Sequence, residues 1–187
     1  IIIFESIYSM DGSIGKIKEI VNLAKKYNCL TYIDEVHAVG MYGKTGGGIS
    51  EKMGVQNDID ILQGTLAKAY GNIGGYIASN NLICDYIRST ASGFIFTTTI
   101  PPSVAEASKK SIQYLKINHE ERKLQQQNVN FLKKKLVLEK IDFIQNKSHI
   151  VPVMIYDAGR CSAISQLLLK KHSHYIQPIN YPTVSKG

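Results

Sequence analysis

No apolar run in this chain of 187 residues approaches the roughly 18 residues that a membrane-spanning helix needs. The opening residues also lack the basic start and small-residue cleavage site of a secretory signal. Cysteine is scarce: Cys29, Cys84 and Cys161 are odd in number and far apart, which excludes a disulfide framework, a CxxC pair and any zinc-ligand spacing. They read as reduced core thiols. Internal repeats are absent, and low-complexity features go no further than single-residue triplets, such as the lysine and glutamine triplets. Positive charge is in excess, at +7, but it is concentrated: residues 101–140 hold nine Lys or Arg against four Glu. That segment has helical periodicity and little aromatic interleaving, so it reads as a solvated helical face, and neither nucleic acid nor a membrane is expected as a partner. What remains is an ordinary soluble composition, 44% apolar with a mean hydropathy of −0.09, enough for one domain or two small ones. The chain opens on Ile1 rather than Met, directly on a β-branched run, so a piece of a longer protein is expected.

Strand and helix patterns alternate over the first hundred residues. Residues 1–4 predict a strand and 8–15 a loop. In residues 16–27 Ile17, Ile20, Val21 and Ala24 fall at helical spacing, with Asn28 as a left-handed stop. Residues 29–33 predict a buried strand ending on Asp34, at the carboxyl end where open α/β sheets place ligands. Residues 36–48 hold five glycines and must be irregular. Strands are expected at 59–62, 74–78 and 94–98, with a helix at 81–91 and a stop at Pro101 and Pro102. Two helices broken near Asn118 and His119 follow, then short strands at 143–144, 150–155 and 175–177 around a helix at 162–171. This change of texture places a domain boundary near residue 117.

Three side chains draw attention. Lys68 lies among small and apolar residues in Gly64-Thr65-Leu66-Ala67-Lys68-Ala69, just after a buried strand. A neutral amine there would form a Schiff base with a carbonyl compound, whereas a snorkelling lysine would send its head to water. Asp34 and His37, in Asp34-Glu35-Val36-His37-Ala38-Val39-Gly40, can present a carboxylate and an imidazole to one ligand. Taken singly, they also read as a helix N-cap and a satisfied core histidine. Together with hydroxyls at Ser9, Thr65, Thr98 and Thr99, the set supplies what pyridoxal phosphate needs: a partner for the pyridinium nitrogen, a Schiff-base lysine and phosphate donors.

These motifs, with Ser9-Met10-Asp11-Gly12, resemble those of the α-oxoamine synthases, fold-type-I pyridoxal-phosphate enzymes, over almost the whole chain. The resemblance implies an aspartate-aminotransferase-like α/β fold, with a large mostly parallel sheet domain ending near residue 117 and the start of a small α+β domain at 118–187. Gly46-Gly47-Gly48-Ile49, Gly93-Phe94-Ile95-Phe96-Thr97-Thr98 and Ile179-Asn180-Tyr181-Pro182-Thr183-Val184 resemble most the members that condense glycine with succinyl-CoA. The last of these looks like the start of a loop that covers the active site. By the same resemblance Lys68 is the Schiff-base lysine that removes and returns the glycine α-proton. Asp34 pairs with the pyridine nitrogen, His37 bonds the phenolic oxygen, Ser9 lies near the ring and Thr65 contacts phosphate. Thr98 and Thr99 correspond to residues reaching the neighbouring subunit's cofactor, so a homodimer with a shared site is implied. A eukaryotic parent would be mitochondrial and a bacterial one cytoplasmic.

The sequence departs from the family by omission. The family's upstream cofactor-stacking residue and most CoA contacts, and its downstream arginine for the glycine carboxylate, have no counterpart here, so this stretch by itself is expected to be incompetent. Ser185 and Lys186 stand where the family carries proline and arginine. Sister enzymes that join acetyl-CoA to glycine, pimeloyl donors to alanine or palmitoyl-CoA to serine share Lys68, Asp34 and His37, and so remain open. A non-catalytic partner subunit of the same fold and a nucleic-acid-binding module are weaker alternatives.

Overall fold

Four strands and the turns at their carboxyl ends organise the computed structural model, which describes residues 1–185. β1 (Ile2–Glu5), β2 (Thr31–Asp34) and β3 (Ile61–Thr65) are parallel neighbours, and β4 (Gly75–Ser79) pairs antiparallel with β3. Phe4 lies opposite Ile33, and Ile33 opposite Leu62. Parallel pairing needs a crossover, which between β1 and β2 is α1 (Ile17–Lys26). Its Ile17, Val21 and Ala24 are buried at helical spacing, and Asn28 takes a positive φ of 50° just beyond its end, as expected for a left-handed stop. Phe4, Ile7, Ile17, Val21, Ile33, Ala38, Tyr42 and Ile49 form the main core. Full burial of each isoleucine contributes roughly 2 kcal/mol.

Between β2 and β3 stand a short helix, α2 (Ile49–Met53), and a single 3-10 turn, Gln56–Asp58. After β4 come α3 (Asn81–Thr90), capped by Asn80 Oδ1 on the Ile83 N–H, and α4 (Ser92–Ile95). Next are α5 (Pro102–Ile117), with proline in its first turn, α6 (Glu120–Leu138) and α7 (Ala158–His172). The break expected near Asn118 and His119 falls between α5 and α6. A second small core joins Val39, Leu66, Tyr70 and Leu115, so α5 packs on the turn that follows β3.

Two expectations fail. Residues 94–98 are not a strand: the Ala91 carbonyl accepts from Phe94 and Ile95, and the chain turns as α4 before continuing irregularly. β-branched and aromatic residues make a strand only beside a partner edge, and among the described residues no edge reaches them. The short strands expected after residue 140 reduce to an isolated bridge, Phe143 with Val153, because Pro152 lacks the N–H needed to extend it. Residues 175–177 form no ladder; the Ile176 carbonyl accepts from Ser165 Oγ on α7 instead. No helix among the described residues is long and apolar enough to cross a membrane.

Candidate active site

The carboxyl ends of β2 and β3 deliver the candidate residues. Asp34 ends β2, in register with Glu5 on one side and Gln63 on the other. Its Oδ1 accepts the Val36 N–H at 2.7 Å, which turns the chain sharply off the sheet, and it enters no salt bridge among the described residues. His37 follows in that turn. Burial pushes its imidazole below the ordinary value, the Lys68 charge pushes the same way, and the Asp34 carboxylate opposes both. The three groups therefore share one electrostatic neighbourhood, with His37 held neutral near pH 7.

Lys68 sits on the turn after β3. The Thr65 hydroxyl shapes that turn, donating to the Gly74 carbonyl at 3.2 Å and accepting from the Ala67 N–H at 3.1 Å. Leu66 bonds the Gly74 carbonyl at 2.9 Å and Asn72 returns to Leu66 at 2.8 Å. The lysine is exposed, its head in water, and its side chain makes neither a hydrogen bond nor an ion pair among the described residues, while its carbonyl accepts from the Gly71 N–H at 3.0 Å. A free primary amine beside an imidazole and a carboxylate is a donor set that suits a carbonyl cofactor with a basic ring nitrogen. Ser9 lies in a turn closed by Tyr8 and Ser13 at 2.9 Å and by Gly12 and Tyr8 at 2.9 Å. Thr98 and Thr99 are exposed after α4, and no hydrogen bond or ion pair links them to Asp34, His37 or Lys68.

Several residues around the site escaped the sequence reading. Glu35, wholly buried beside Asp34, accepts the N–H groups of Ile49 at 3.0 Å and Ser50 at 2.8 Å, so a carboxylate caps α2. Gly48, with φ +107°, makes room for it: a Cβ there would fall 2.5 Å from Glu35 Oε2. The far part of the glycine-rich loop is pinned by Arg122 of α6, whose guanidinium donates to the carbonyls of Lys44 and Leu115. Glu51 ties the same loop through Thr45 and Gly47, at 2.9 Å to Thr45 Oγ1 and 2.8 Å to the Gly47 N–H. Tyr42 closes on His149, Oη to Nδ1 at 3.1 Å. The five glycines were the available signal that something crowded this loop, but not what.

The fold and these turns define the class. The chain belongs to the aminotransferase class I and II family, whose model matches residues 1–187. More particularly, it is 54% identical over all 187 residues to the 5-aminolevulinate synthase of Rickettsia bellii. It is 49% identical over 187 residues to 5-aminolevulinate synthase 1 of Cereibacter sphaeroides. It spans 45% of the first of these proteins and 46% of the second, all of this chain being covered. Among solved structures, a serine palmitoyltransferase bearing a PLP internal aldimine superposes with a TM-score of 0.91 at 31% identity, covering 99% of this chain and 47% of that one. The 8-amino-7-oxononanoate synthase of Francisella tularensis shares the fold, with a TM-score of 0.81 over 97% of this chain and 53% of its own.

Proposed function

We propose that the protein containing this chain is a pyridoxal-phosphate-dependent 5-aminolevulinate synthase, condensing glycine with succinyl-CoA and releasing carbon dioxide and CoA, for haem and tetrapyrrole synthesis. The observation that carries this reading is the 54% identity, across all 187 residues, to 5-aminolevulinate synthase. It is supported by the ends of β2 and β3, where the charges of Lys68 and Asp34 both act on the His37 imidazole.

Bound there, pyridoxal phosphate supplies an electron sink for negative charge at the glycine α-carbon. Asp34 would hold the ring nitrogen and its proton. His37, neutral, would orient the phenolic oxygen by a hydrogen bond. Lys68 would hold the cofactor through its amine and would take and return the α-proton at Nζ. Thr65 and Ser9 steady the phosphate and ring. Thr98 and Thr99, exposed and outside this group, fit a role toward a second subunit's cofactor in a homodimer. Residues 1–117 serve as the later part of the cofactor domain and 118–187 as the beginning of the small domain. Its compartment follows the parent, mitochondrial matrix in a eukaryote and cytoplasm in a bacterium; the relatives named above are bacterial.

The test is made on the full-length protein. With pyridoxal phosphate, borohydride reduction and peptide mapping are expected to place the label on Lys68. Lys68→Ala is expected to lose the label and roughly 10²–10⁴-fold or more of the rate that proton transfer supplies. Assays with succinyl-CoA and glycine, acetyl-CoA and glycine, pimeloyl donors and alanine, and palmitoyl-CoA and serine are expected to rank the first pair highest. No adduct at Lys68 would leave a non-catalytic member of the fold.

A further inference from the structure

The two segments that carry Ser9 and His37 are irregular. Residues 8–15 hold themselves by a few local backbone bonds, and 35–48 turn through glycines of positive φ at 40, 43, 46 and 48. Segments of this kind lose much entropy on ordering and need outside contacts to fix them. Both receive such contacts from one short loop, residues 144–150.

Asn146 Nδ2 donates to the Asp11 carbonyl at 2.8 Å, in the turn that carries Ser9, and to the Ile150 carbonyl at 2.9 Å within its own loop. Gly12 permits this approach: a Cβ there would meet Asn146 Nδ2 at 2.4 Å and Ser148 Oγ at 2.8 Å. Three residues on, the His149 N–H donates to Tyr42 Oη at 2.8 Å, and the same Oη meets His149 Nδ1 at 3.1 Å, in the loop that carries His37. The loop is itself pinned from α6. The Lys133 ammonium donates to Asn146 Oδ1 at 2.9 Å, the Asn146 carbonyl at 3.0 Å and the Ser148 carbonyl at 2.7 Å, so all three of its hydrogens have acceptors. No carboxylate pairs with it among the described residues. A lysine bonded to three converging oxygens, rather than to a surface acid, is placed to fix a loop.

We infer that residues 146–149, pinned by Lys133, brace the candidate site from outside, with Asn146 and His149 as positioning residues that hold the Ser9 turn and the His37 loop in one fixed relation. The inference rests on the reading of those two segments as the cofactor site. It assigns Lys133, which touches neither segment, an effect on both.

Hydrogen exchange of the full-length protein without cofactor tests this. Lys133→Met is expected to speed exchange about tenfold at the amides of Tyr8 and Gly12, and likewise at those of Ala38, Val39 and Tyr42. Lys134→Met, an exposed neighbour, is expected to change neither set. If Lys133→Met does not fold, Lys133→Arg keeps the charge but not the compact three-way donation, and is read the same way with a smaller increase expected. Faster exchange within 144–150 alone, or in only one of the two site segments, would overturn the brace. The dissociation constant for pyridoxal phosphate is measured alongside and is expected to weaken about tenfold in Lys133→Met, since a site whose groups shift loses affinity while its chemistry is intact. A wild-type protein that takes up no pyridoxal phosphate would defeat the functional reading, and the exchange comparison would still decide the brace.

Discussion

His149 shows how one side chain feels its surroundings. Burial lowers its pKa to about 4, and His37, once protonated at low pH, and Lys133 add to the effect. Its ordinary value is 6.5, so the folded state keeps it neutral where the unfolded chain takes up a proton. The resulting stability is fully present above pH 6.5 and is lost as pH falls through about 4. Allowing for partial exposure to water, it is on the order of 2 kcal/mol. Urea titrations of wild type and His149→Gln are expected to diverge accordingly, with the variant losing less stability between pH 6.5 and 4. Parallel curves would show that His149 is solvated enough to titrate normally. Asp34 and Lys68 stood out in the sequence because each follows an apolar run; Asp34 ends β2 half-buried, whereas Lys68 is exposed on the turn after β3, so the burial cost that drew attention to the lysine is not incurred. His149 was not legible: its partner Tyr42 is 107 residues away, and a local pattern carries no trace of so distant a bond.

At the scale of elements, a capping carboxylate and a glycine are matched. Gly48 and Gly54 flank α2, both with positive φ, of 107° and 71°. A Cβ at Gly54 would meet nothing within 4 Å, whereas at Gly48 it would strike a carboxylate already committed to Ile49 and Ser50. Gly54→Ala is therefore expected to cost about 1 kcal/mol, from its left-handed backbone alone. Gly48→Ala is expected to cost roughly 3 kcal/mol or more, read from the shift in denaturation midpoint. Equal costs would mean that Glu35 yields. Helix positions were readable because α1, α3 and α7 carry their own periodicity or caps: Asn80 for α3, and Asp157 Oδ1 on the Arg160 N–H at 2.6 Å for α7. Strands were readable only where a neighbour existed. Residues 94–98 had the composition but pair with no strand among the described residues, and form the end of α4 and an irregular stretch.

The whole molecule leaves large apolar side chains in water. Phe96 is 86% exposed, Leu82 80% and Ile73 72%, spread over α3, α4 and the turn before β4. β1 and β4 end the strand order, each with one edge unpaired among the described residues. Such surfaces attract other chains. The 187-residue chain expressed by itself is expected to self-associate in a concentration-dependent manner in sedimentation velocity, and Leu82→Lys combined with Phe96→Ser is expected to reduce this. Unchanged association would point to an open strand edge instead. Composition disclosed the apolar residues but not their exposure, since which face is covered depends on how the elements stack. Lys186, where the sequence departs from its family's pattern, lies outside the described residues.

The bond from Asn146 to Asp11 joins residues 135 apart, the widest separation of any side-chain bond around the site. Closing so long a loop is entropically late, and on a ribosome it cannot begin until residue 146 has left the exit tunnel. Asp34, His37 and Lys68 are by then long synthesised, and the turn that carries Ser9 lacks its bond to Asn146 until that point. The bond that fastens the turn of Ser9 to residue 146 is thus made late in the life of the nascent chain, after residues 34, 37 and 68 have all been synthesised.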